Sequence, residues 1–244
     1  MNFQKNLSII MIWIVPHFLF GQVKERNFGE IIGIALPSAM IAYGFISLGD
    51  NGIREIDYRV RASLEKNNRF WYTHVDDYMQ FAPAVAAYTM KLCKMESAHN
   101  LLEMTILYGL SNILAGNIVS KTKAITARER PDHSNNRSFP SGHTETAFVA
   151  AEFLHQEYKN ESVWISIGGY SVATFVGIAR VYNNKHWVSD VVAGAGIGIL
   201  STKVVYWIYP CVRKKIGKNN QPLQTFVYPV YSNGNMSLHL SHTF

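Results

Sequence analysis

Residues 123–190 contain three short motifs whose residue types suit the cleavage of a phosphate ester. In chain order the motifs are Lys123-(six residues)-Arg130-Pro131, Pro140-Ser141-Gly142-His143 and Arg180-(five residues)-His186-(three residues)-Asp190. Together they supply three cations, two imidazoles and one carboxylate. Each motif alone is weakly informative, whereas all three in this order and at these spacings predict a site that holds a phosphate and breaks its ester bond.

The cations of the first and third motifs are candidate phosphate ligands. The transition state of a phosphate monoester spreads negative charge over its equatorial oxygens, so catalysis depends on positioning and electrostatic stabilisation. Arg130 and Arg180 can each direct two N–H donors onto phosphate oxygens, and Lys123 adds a compact positive charge.

The second motif precedes a helix-compatible run, 143–158. Free backbone N–H groups at a helix N-terminus favour an anion, and Gly142 lets the backbone approach a phosphate closely. Ser141 is a candidate for capping this helix or for hydrogen bonding a phosphate oxygen. An isolated Pro-Ser-Gly-His sequence is usually an ordinary turn, but its place between two basic motifs favours a binding role.

His186 and Asp190 are four residues apart, which on a helix places them on one face. The carboxylate can accept a hydrogen bond from one imidazole nitrogen and leave the other nitrogen as a nucleophile. Two other interpretations stay open at this point. The pair is also typical of a solvated helix surface, and together with His143 it has the composition of a divalent-metal site. Three converging cations argue against the metal, because they would repel it.

The order and spacing of these motifs resemble the signature of the type 2 phosphatidic acid phosphatase superfamily. That superfamily shares a helical fold with the class A bacterial acid phosphatases and the vanadium haloperoxidases. The motif region covers about a quarter of the chain, and flanking helices would extend the fold over roughly residues 30–210. One position departs from the pattern, because the usual serine before the third-motif arginine is here Ala179. This change removes a hydroxyl near the site but no charged group.

The resemblance implies a role for each motif residue. His186 would attack phosphorus and form a phosphohistidine, with Asp190 orienting its ring. His143 would protonate the leaving alkoxide and then activate the water that releases phosphate. The superfamily works without a metal, so neither a metal nor another cofactor is expected. The residues expected to bind the substrate phosphate are Lys123, Arg130, Ser141, Gly142 and Arg180.

The elements that must position these groups are predicted to be helices. Apolar segments indicate an all-α bundle of about six core helices, several of which are candidate transmembrane spans. The run after His143 carries Glu145 and Glu152, which suits a bundle interior better than lipid. The segments read as helices are Ile31–Leu48, Phe81–Cys93, Leu101–Val119, Trp164–Ala179 and Val191–Tyr209.

Two further segments have their own patterns. Ile53–Arg69 has an apolar stripe at helical spacing surrounded by basic residues, which fits either a membrane-interface helix or one packed on the bundle. Residues 223–244 are rich in β-formers and alternate around Ser232-Asn233-Gly234-Asn235, which predicts a short C-terminal β-hairpin.

Length and composition set outer limits. The 244 residues are enough for one domain with a sizeable core, and a net charge of +6 suits an anionic substrate or membrane surface. No nucleic-acid recognition motif is found, so nucleic acid is not an expected partner. Cys93 and Cys211 are far apart near the ends of apolar stretches, which favours buried free thiols over a disulfide.

The N-terminus predicts export. Lys5 precedes the apolar run Leu7–Phe20, so residues 1–21 are read as a signal peptide or an N-terminal anchor. The phosphatase domain would then be 22–215 and the tail 216–244. A cleaved signal leaves 22–30 outside, whereas six spans with periplasmic motif loops need that stretch in the cytoplasm. Both topologies stay open; either places the site at the periplasmic face of a Gram-negative inner membrane.

The expected activity is hydrolysis of a membrane-lipid phosphate. The candidate substrates are phosphatidylglycerol phosphate, phosphatidic acid, undecaprenyl pyrophosphate and the phosphates of lipid A, and no residue selects among them. Apolar segments and the basic helix favour a lipid over a soluble ester. The alternatives are a soluble periplasmic acid phosphatase of broad specificity, a vanadate-dependent haloperoxidase and a non-catalytic phospholipid-binding membrane protein.

Overall fold

The computed structural model describes residues 28–217, 225–232 and 235–242. The prediction of a signal peptide or anchor over residues 1–21 therefore falls outside the described residues. Within them the chain forms eight helices followed by two strands. The helices are α1 (Phe28–Ile46), α2 (Gly52–Lys66), α3 (Val75–Met79), α4 (Ala82–Leu92), α5 (Leu101–Thr126), α6 (Gly142–Tyr158), α7 (Val163–Tyr182) and α8 (Val188–Gly217). The strands are β1 (Thr225–Ser232) and β2 (Asn235–His242).

Helix α6 is the centre of the bundle. It packs against α4, α5, α7 and α8, and its residues 147–154 are all buried. Its acidic residues Glu145 and Glu152 are buried as well, and Glu152 forms an ion pair with Lys203 at 2.9 Å. The predicted place of this helix inside a bundle is confirmed. The second motif therefore begins the most deeply buried helix of the described chain.

Glycines allow α8 to lie against the first turns of α6. A Cβ atom at Gly194 would be 2.5 Å from the Ser141 carbonyl oxygen, and one at Gly198 would be 2.5 Å from the Glu145 carbonyl oxygen. Neither distance is compatible with a side chain. The close approach brings the start of α8, with Asp190, next to the second motif, and the Ser141 amide donates to the Asp190 carbonyl at 3.0 Å.

Local signals fix the ends of the helix that carries the first motif. Helix α5 begins with a capping box, in which Asn100 and Glu103 bond each other's backbone amides. It ends at Ala127, which has a left-handed backbone with φ of 43°. This turn sends the chain into the loop that carries Arg130, so Lys123 and Arg130 stay at one end of the bundle.

The helix predictions agree with the structure, and the all-α class is confirmed. Three helical segments of the described chain are long and apolar enough to cross a membrane, namely Leu101–Thr126, Val163–Tyr182 and Val188–Lys214. The segment Ile31–Ile46 of α1 is apolar but shorter. The basic segment forms α2, whose inward face buries Leu64 and also a carboxylate, Asp57.

The tail and the cysteines give one agreement and one correction. Strands β1 and β2 pair antiparallel, with Ser232 opposite Asn235, in the register that the hairpin prediction requires.

Cys93 and Cys211 are free thiols, as predicted, but both are exposed. The prediction that they are buried is wrong, because each lies beyond the core, at the C-terminus of α4 and near that of α8.

Candidate active site

The three motifs meet at one end of the bundle. The first comes from the C-terminus of α5 and the following loop, the second from the N-terminus of α6, and the third from the C-terminus of α7 and the start of α8. The positive charges of Lys123 and Arg180 both lower the pKa of the His186 ring. The charge of Arg180 also lowers the pKa of His143 and of Arg130. Residues separated by up to 67 positions in the chain thus form one electrostatic cluster.

His186 and Asp190 are neighbours, but not by the predicted geometry. His186 precedes α8, which starts at Val188, so the two residues do not share a helix face. Instead Asp190 lies in the first turn and accepts a hydrogen bond from the Trp187 amide at 3.0 Å. Its Oδ2 then lies 3.5 Å from His186 Nδ1, a contact too long for a good hydrogen bond.

The His186 ring is buried and neutral. Burial is the largest cause that lowers its pKa, to about 4, and the charges of Lys123 and Arg180 lower it further against the opposing effect of Asp190. The ring is therefore unprotonated near neutral pH. With Nδ1 directed to the carboxylate, Nε2 carries the lone pair that a nucleophile needs.

Arg128, which sequence reasoning missed, holds the Asp190 carboxylate. Its two terminal nitrogens contact Asp190 Oδ1 at 2.7 Å and Asp57 Oδ2 at 2.8 Å. The Ser138 hydroxyl donates to Asp190 as well. Both carboxylates are fully buried, so the guanidinium compensates two charges that would otherwise be unpaired. This network fixes the carboxylate that faces His186.

Two arginines carry unused hydrogen-bond donors. The Nε atoms of Arg130 and Arg180 are buried and have no hydrogen-bond partner. A buried donor without a partner costs about 1–3 kcal/mol, and an anion placed between the two side chains would remove that cost. Lys123 Nζ donates to the carbonyl oxygens of Arg137 and Ser138 at 2.9 and 3.3 Å, which directs it toward the loop between the first two motifs.

An acidic residue positions Arg180. Its Nη1 contacts Asp76 Oδ2 at 2.5 Å, and Asp76 Oδ1 accepts a hydrogen bond from Asn183 at 2.9 Å. The ion pair leaves Nε and the other terminal nitrogen of Arg180 for a ligand. Asp76 is fully buried on the short helix α3, far from every motif in sequence.

The second motif presents an open helix N-terminus. Ser141 is the residue before α6, but its side chain makes no capping hydrogen bond, so that part of the prediction is wrong. Its Oγ instead accepts a hydrogen bond from the Thr144 hydroxyl at 2.9 Å, which leaves the Ser141 hydrogen available to an anion. A Cβ atom at Gly142 would have nothing within 4 Å, so the space beside this backbone is open.

His143 is paired with a carboxylate. Its Nε2 lies 2.8 Å from Oδ1 of Asp77, the neighbour of Asp76 on α3. Burial is the largest cause that lowers the pKa of His143, followed by the charge of Arg180, while Asp77 and Asp76 oppose both. Sequence reasoning missed both aspartates, since a two-residue acidic pair 66 positions before His143 carries no local signal.

The same three residues are the group among the described residues that has the composition of a metal site. Potential ligand atoms of Asp76, Asp77 and His143 lie within 4.8 Å of one another. The Arg180 guanidinium, however, already forms an ion pair with Asp76, and its Nη1 lies 3.7 Å from Asp77 Oδ1. A fixed cation in this place disfavours a divalent ion and favours a hydrogen-bonded acid–base pair.

The region that carries the three motifs is similar to a known protein family. The sequence model of the PAP2 superfamily matches residues 104–214, which include all three motifs. Residues 104–214 are thus similar to the PAP2 superfamily. This confirms the resemblance to the type 2 phosphatidic acid phosphatases, and the superfamily match runs from α5 to α8 and includes the connecting loops, which together with the helices carry every motif residue.

Two curated PAP2 relatives are enzymes of lipid metabolism by name. The lipid A 1-phosphatase of Porphyromonas gingivalis is 38% identical over 160 residues, which are 65% of this chain and 34% of that protein. The phosphatidylglycerophosphatase B of Bacillus subtilis is 40% identical over 86 residues, 30% of this chain and 42% of that protein. The chain thus spans less than half the length of these relatives.

A solved structure shares the fold. It is the transmembrane PAP2-type phosphatidylglycerolphosphate phosphatase from Bacillus subtilis, with 22% sequence identity and a TM-score of 0.52. The match covers 72% of this chain and 97% of that one. At this identity the likeness establishes the helical fold alone, for the region that holds the candidate site.

Proposed function

We propose that this protein is a PAP2-type lipid phosphatase that transfers a phosphoryl group from a membrane-lipid ester to His186 and then to water. The observation that carries the proposal is a neutral, buried imidazole beside two arginines whose buried Nε donors have no partner. A phosphate bound there would satisfy Arg130 and Arg180 and place phosphorus before His186 Nε2.

The first chemical step forms a phosphoenzyme. His186 Nε2 attacks phosphorus, the bond to the ester oxygen breaks, and His143 gives its proton to the leaving alkoxide. Lys123, Arg130 and Arg180 stabilise the charge on the equatorial oxygens, together with the open N-terminus of α6. Asp190 stabilises the imidazolium character that develops on His186, since its carboxylate is held in place by Arg128.

The second step returns the enzyme to its starting state. His143, now unprotonated, accepts a proton from water as the water oxygen attacks phosphorus. The phosphorus–nitrogen bond breaks, phosphate leaves, and His186 regains its lone pair. In these two steps His143 transfers the proton and His186 carries the phosphoryl group, so the reaction needs neither a metal nor another cofactor.

A lipid substrate follows from the setting of the site. Three long apolar helices surround or support it, and the curated relatives are named for lipid A and for phosphatidylglycerophosphate. The candidate substrates are these two lipids, phosphatidic acid and undecaprenyl pyrophosphate. Among these candidates lipid A is favoured, because the match to the Porphyromonas gingivalis lipid A 1-phosphatase covers 65% of this chain.

The basic residues that follow α4 and end α8 support a site on the periplasmic side of the inner membrane. The end of the bundle opposite the site carries Lys91, Lys94, Arg213 and Lys214, and the ion pair of Arg213 with Glu103 at 3.4 Å joins the end of α8 to the start of α5. Basic residues at membrane ends favour the cytoplasm. The opposite end, with the motifs, would then face the periplasm.

A substrate panel tests the proposal. Purified full-length protein in detergent is given lipid A, phosphatidylglycerol phosphate, phosphatidic acid, undecaprenyl pyrophosphate and soluble esters, and released phosphate is measured with and without a chelator. We expect turnover of at least one lipid, insensitivity to the chelator, and acid-labile, base-stable phosphate on the protein. A preference for soluble esters without detergent would favour a soluble acid phosphatase, and tight lipid binding without turnover would favour a non-catalytic binding protein.

A further inference from the structure

Helix α3 connects two motif residues through adjacent carboxylates. Asp76 contacts Arg180, and Asp77 Oδ1 contacts His143 Nε2 at 2.8 Å. The second oxygen of Asp77 lies 3.2 Å from Nδ1 of His74, an exposed ring at the start of α3. Neither aspartate belongs to a motif, yet Asp76 contacts a candidate phosphate-binding arginine and Asp77 contacts the candidate acid–base histidine.

The position of α3 is fixed by bonds to the C-terminus of α7. Asn183 exchanges two hydrogen bonds with the backbone of Thr73, at 3.0 and 2.8 Å, and donates a third to Asp76. These contacts hold the helix although it is only five residues long. The Asp77 carboxylate is consequently presented to His143 from a fixed frame.

The contact determines which nitrogen of His143 is protonated. Burial raises the pKa of Asp77, but hydrogen bonds from His74 and His143 and the charge of Arg180 lower it by more, so the group is a carboxylate near neutral pH. A carboxylate only accepts hydrogen bonds, so His143 Nε2 must be the donor. The neutral ring then has its lone pair on Nδ1, the nitrogen left to exchange a proton with substrate and water.

We propose that Asp77 is a positioning residue for the proposed acid–base step, fixing the His143 ring so that Nδ1 serves the ester oxygen and stabilising the protonated ring. The proposal rests on the proposed phosphatase function. It makes α3 a part of the acid–base machinery that the three sequence motifs do not include.

The charged groups around His143 give the expected sign of a pH effect. Arg180 on α7 disfavours the protonated ring, and Asp77 and Asp76 on α3 favour it. Removing the Asp77 charge therefore lowers the pKa of His143. Since the general acid must be protonated, the alkaline limb of the rate profile moves to lower pH.

The test compares Asp77→Asn with the unchanged full-length protein on an alkyl phosphate and on p-nitrophenyl phosphate. For the alkyl ester we expect kcat to fall roughly tenfold or more and its alkaline limb to move down by about one pH unit. Nitrophenolate leaves without a proton, so the burst of phosphoenzyme formation should keep about its original rate. The hydrolysis that follows should slow down, because it needs His143 as a base.

Matched variants separate positioning from a general loss of structure. Asp50→Asn removes an exposed carboxylate between α1 and α2 and should leave both rates and the pH profile unchanged. Asp77→Glu keeps a carboxylate and should keep the alkaline limb close to that of the unchanged protein. An equal loss in the rate of phosphoenzyme formation on both substrates, with an unmoved alkaline limb, would indicate a merely structural role. A rise in kcat would show that Asp77 restrains His143. Either result overturns the proposal.

A measurement on the unchanged protein gives an independent check. ¹⁵N NMR of His143 at neutral pH should show the hydrogen on Nε2, and a hydrogen on Nδ1 would overturn the proposal even if Asp77→Asn does not fold. Absence of any turnover by the unchanged protein would instead refute the proposed function, and the acid–base role of Asp77 with it.

Discussion

The buried imidazole of His186 sets the low-pH behaviour of the site. Because its pKa is lowered to about 4, the ring keeps its lone pair through the mildly acidic range and protonates only near pH 4. For a substrate of fixed charge whose leaving group needs no proton from His143, we expect the single-turnover rate of phosphoenzyme formation to be constant from about pH 7 to pH 5 and to decline below that. A decline centred near pH 6.5, the ordinary histidine range, would contradict the neutral buried ring.

Substitution of His186 tests its role directly. His186→Asn keeps a polar side chain of similar size but cannot carry the phosphoryl group, so kcat should fall by about a thousandfold or more. The control is His155→Asn, since His155 bonds Ser166 at 2.8 Å on the far half of α6 and touches no motif residue. Near-normal turnover by His186→Asn, measured as released phosphate, would exclude the phosphohistidine.

Arg128 is predicted to matter for stability as much as for chemistry. Arg128→Met leaves the buried carboxylates of Asp57 and Asp190 uncompensated, which should lower the free energy of unfolding by about 3 kcal/mol or more. Denaturant unfolding in detergent measures this loss. Arg59→Met, on the exposed face of α2, is the control and should change it by less than about 0.5 kcal/mol. Equal small effects from both variants would mean that the Arg128 network contributes little.

At the residue scale, the sequence predicts those site residues that lie close together within a short motif. Lys123, Arg130 and His143 are found because the motifs are contiguous. Asp77 and Arg128 were missed because each acts through a partner dozens of positions away, and only the packed helices bring the partners together. The predicted helix face of His186 was wrong for a related reason, since the start of a helix depends on capping contacts that a four-residue spacing does not reveal.

At the scale of elements, the junction of α6 and α8 joins the second and third motifs. Gly194→Ala would place a methyl group 2.5 Å from the Ser141 carbonyl oxygen and force the helices apart. We expect a loss of about 1–3 kcal/mol of stability and a fall in kcat, since Asp190 and the N-terminus of α6 would separate. Gly116→Ala on α5, with nothing within 4 Å of the new Cβ, is the matched control and should be neutral or stabilising.

The helices themselves were predictable because each has a continuous apolar or amphipathic pattern. The apolar runs predicted α1, α4, α5, α7 and α8, and most of the ends of these helices agree with the prediction to within a few residues. Helix α3 has five residues and no such pattern, so it was read as a connection. Its position is set by hydrogen bonds between Thr73 and Asn183, which are separated by 110 residues. Long-range contacts of this kind leave no trace in local periodicity.

For the molecule as a whole, the two ends of the bundle differ in chemistry. One end holds the motifs, and the other holds the basic residues that follow α4 and end α8 together with both cysteines. The exposed thiols of Cys93 and Cys211 are natural reporters for the basic end. A position such as Asn136, exposed in the loop between the first two motifs, can report on the opposite end when it is changed to cysteine in a cysteine-free background.

These reporters decide which side of the membrane the site faces. If the basic end lies in the cytoplasm, a membrane-impermeant maleimide should leave Cys93 and Cys211 unlabelled in intact spheroplasts and label them in inside-out vesicles. The Asn136→Cys protein, with Cys93→Ser and Cys211→Ser, should show the opposite pattern while keeping its phosphatase activity. The reverse labelling of both reporters would place the motifs in the cytoplasm, where the substrate would be a lipid of the inner leaflet.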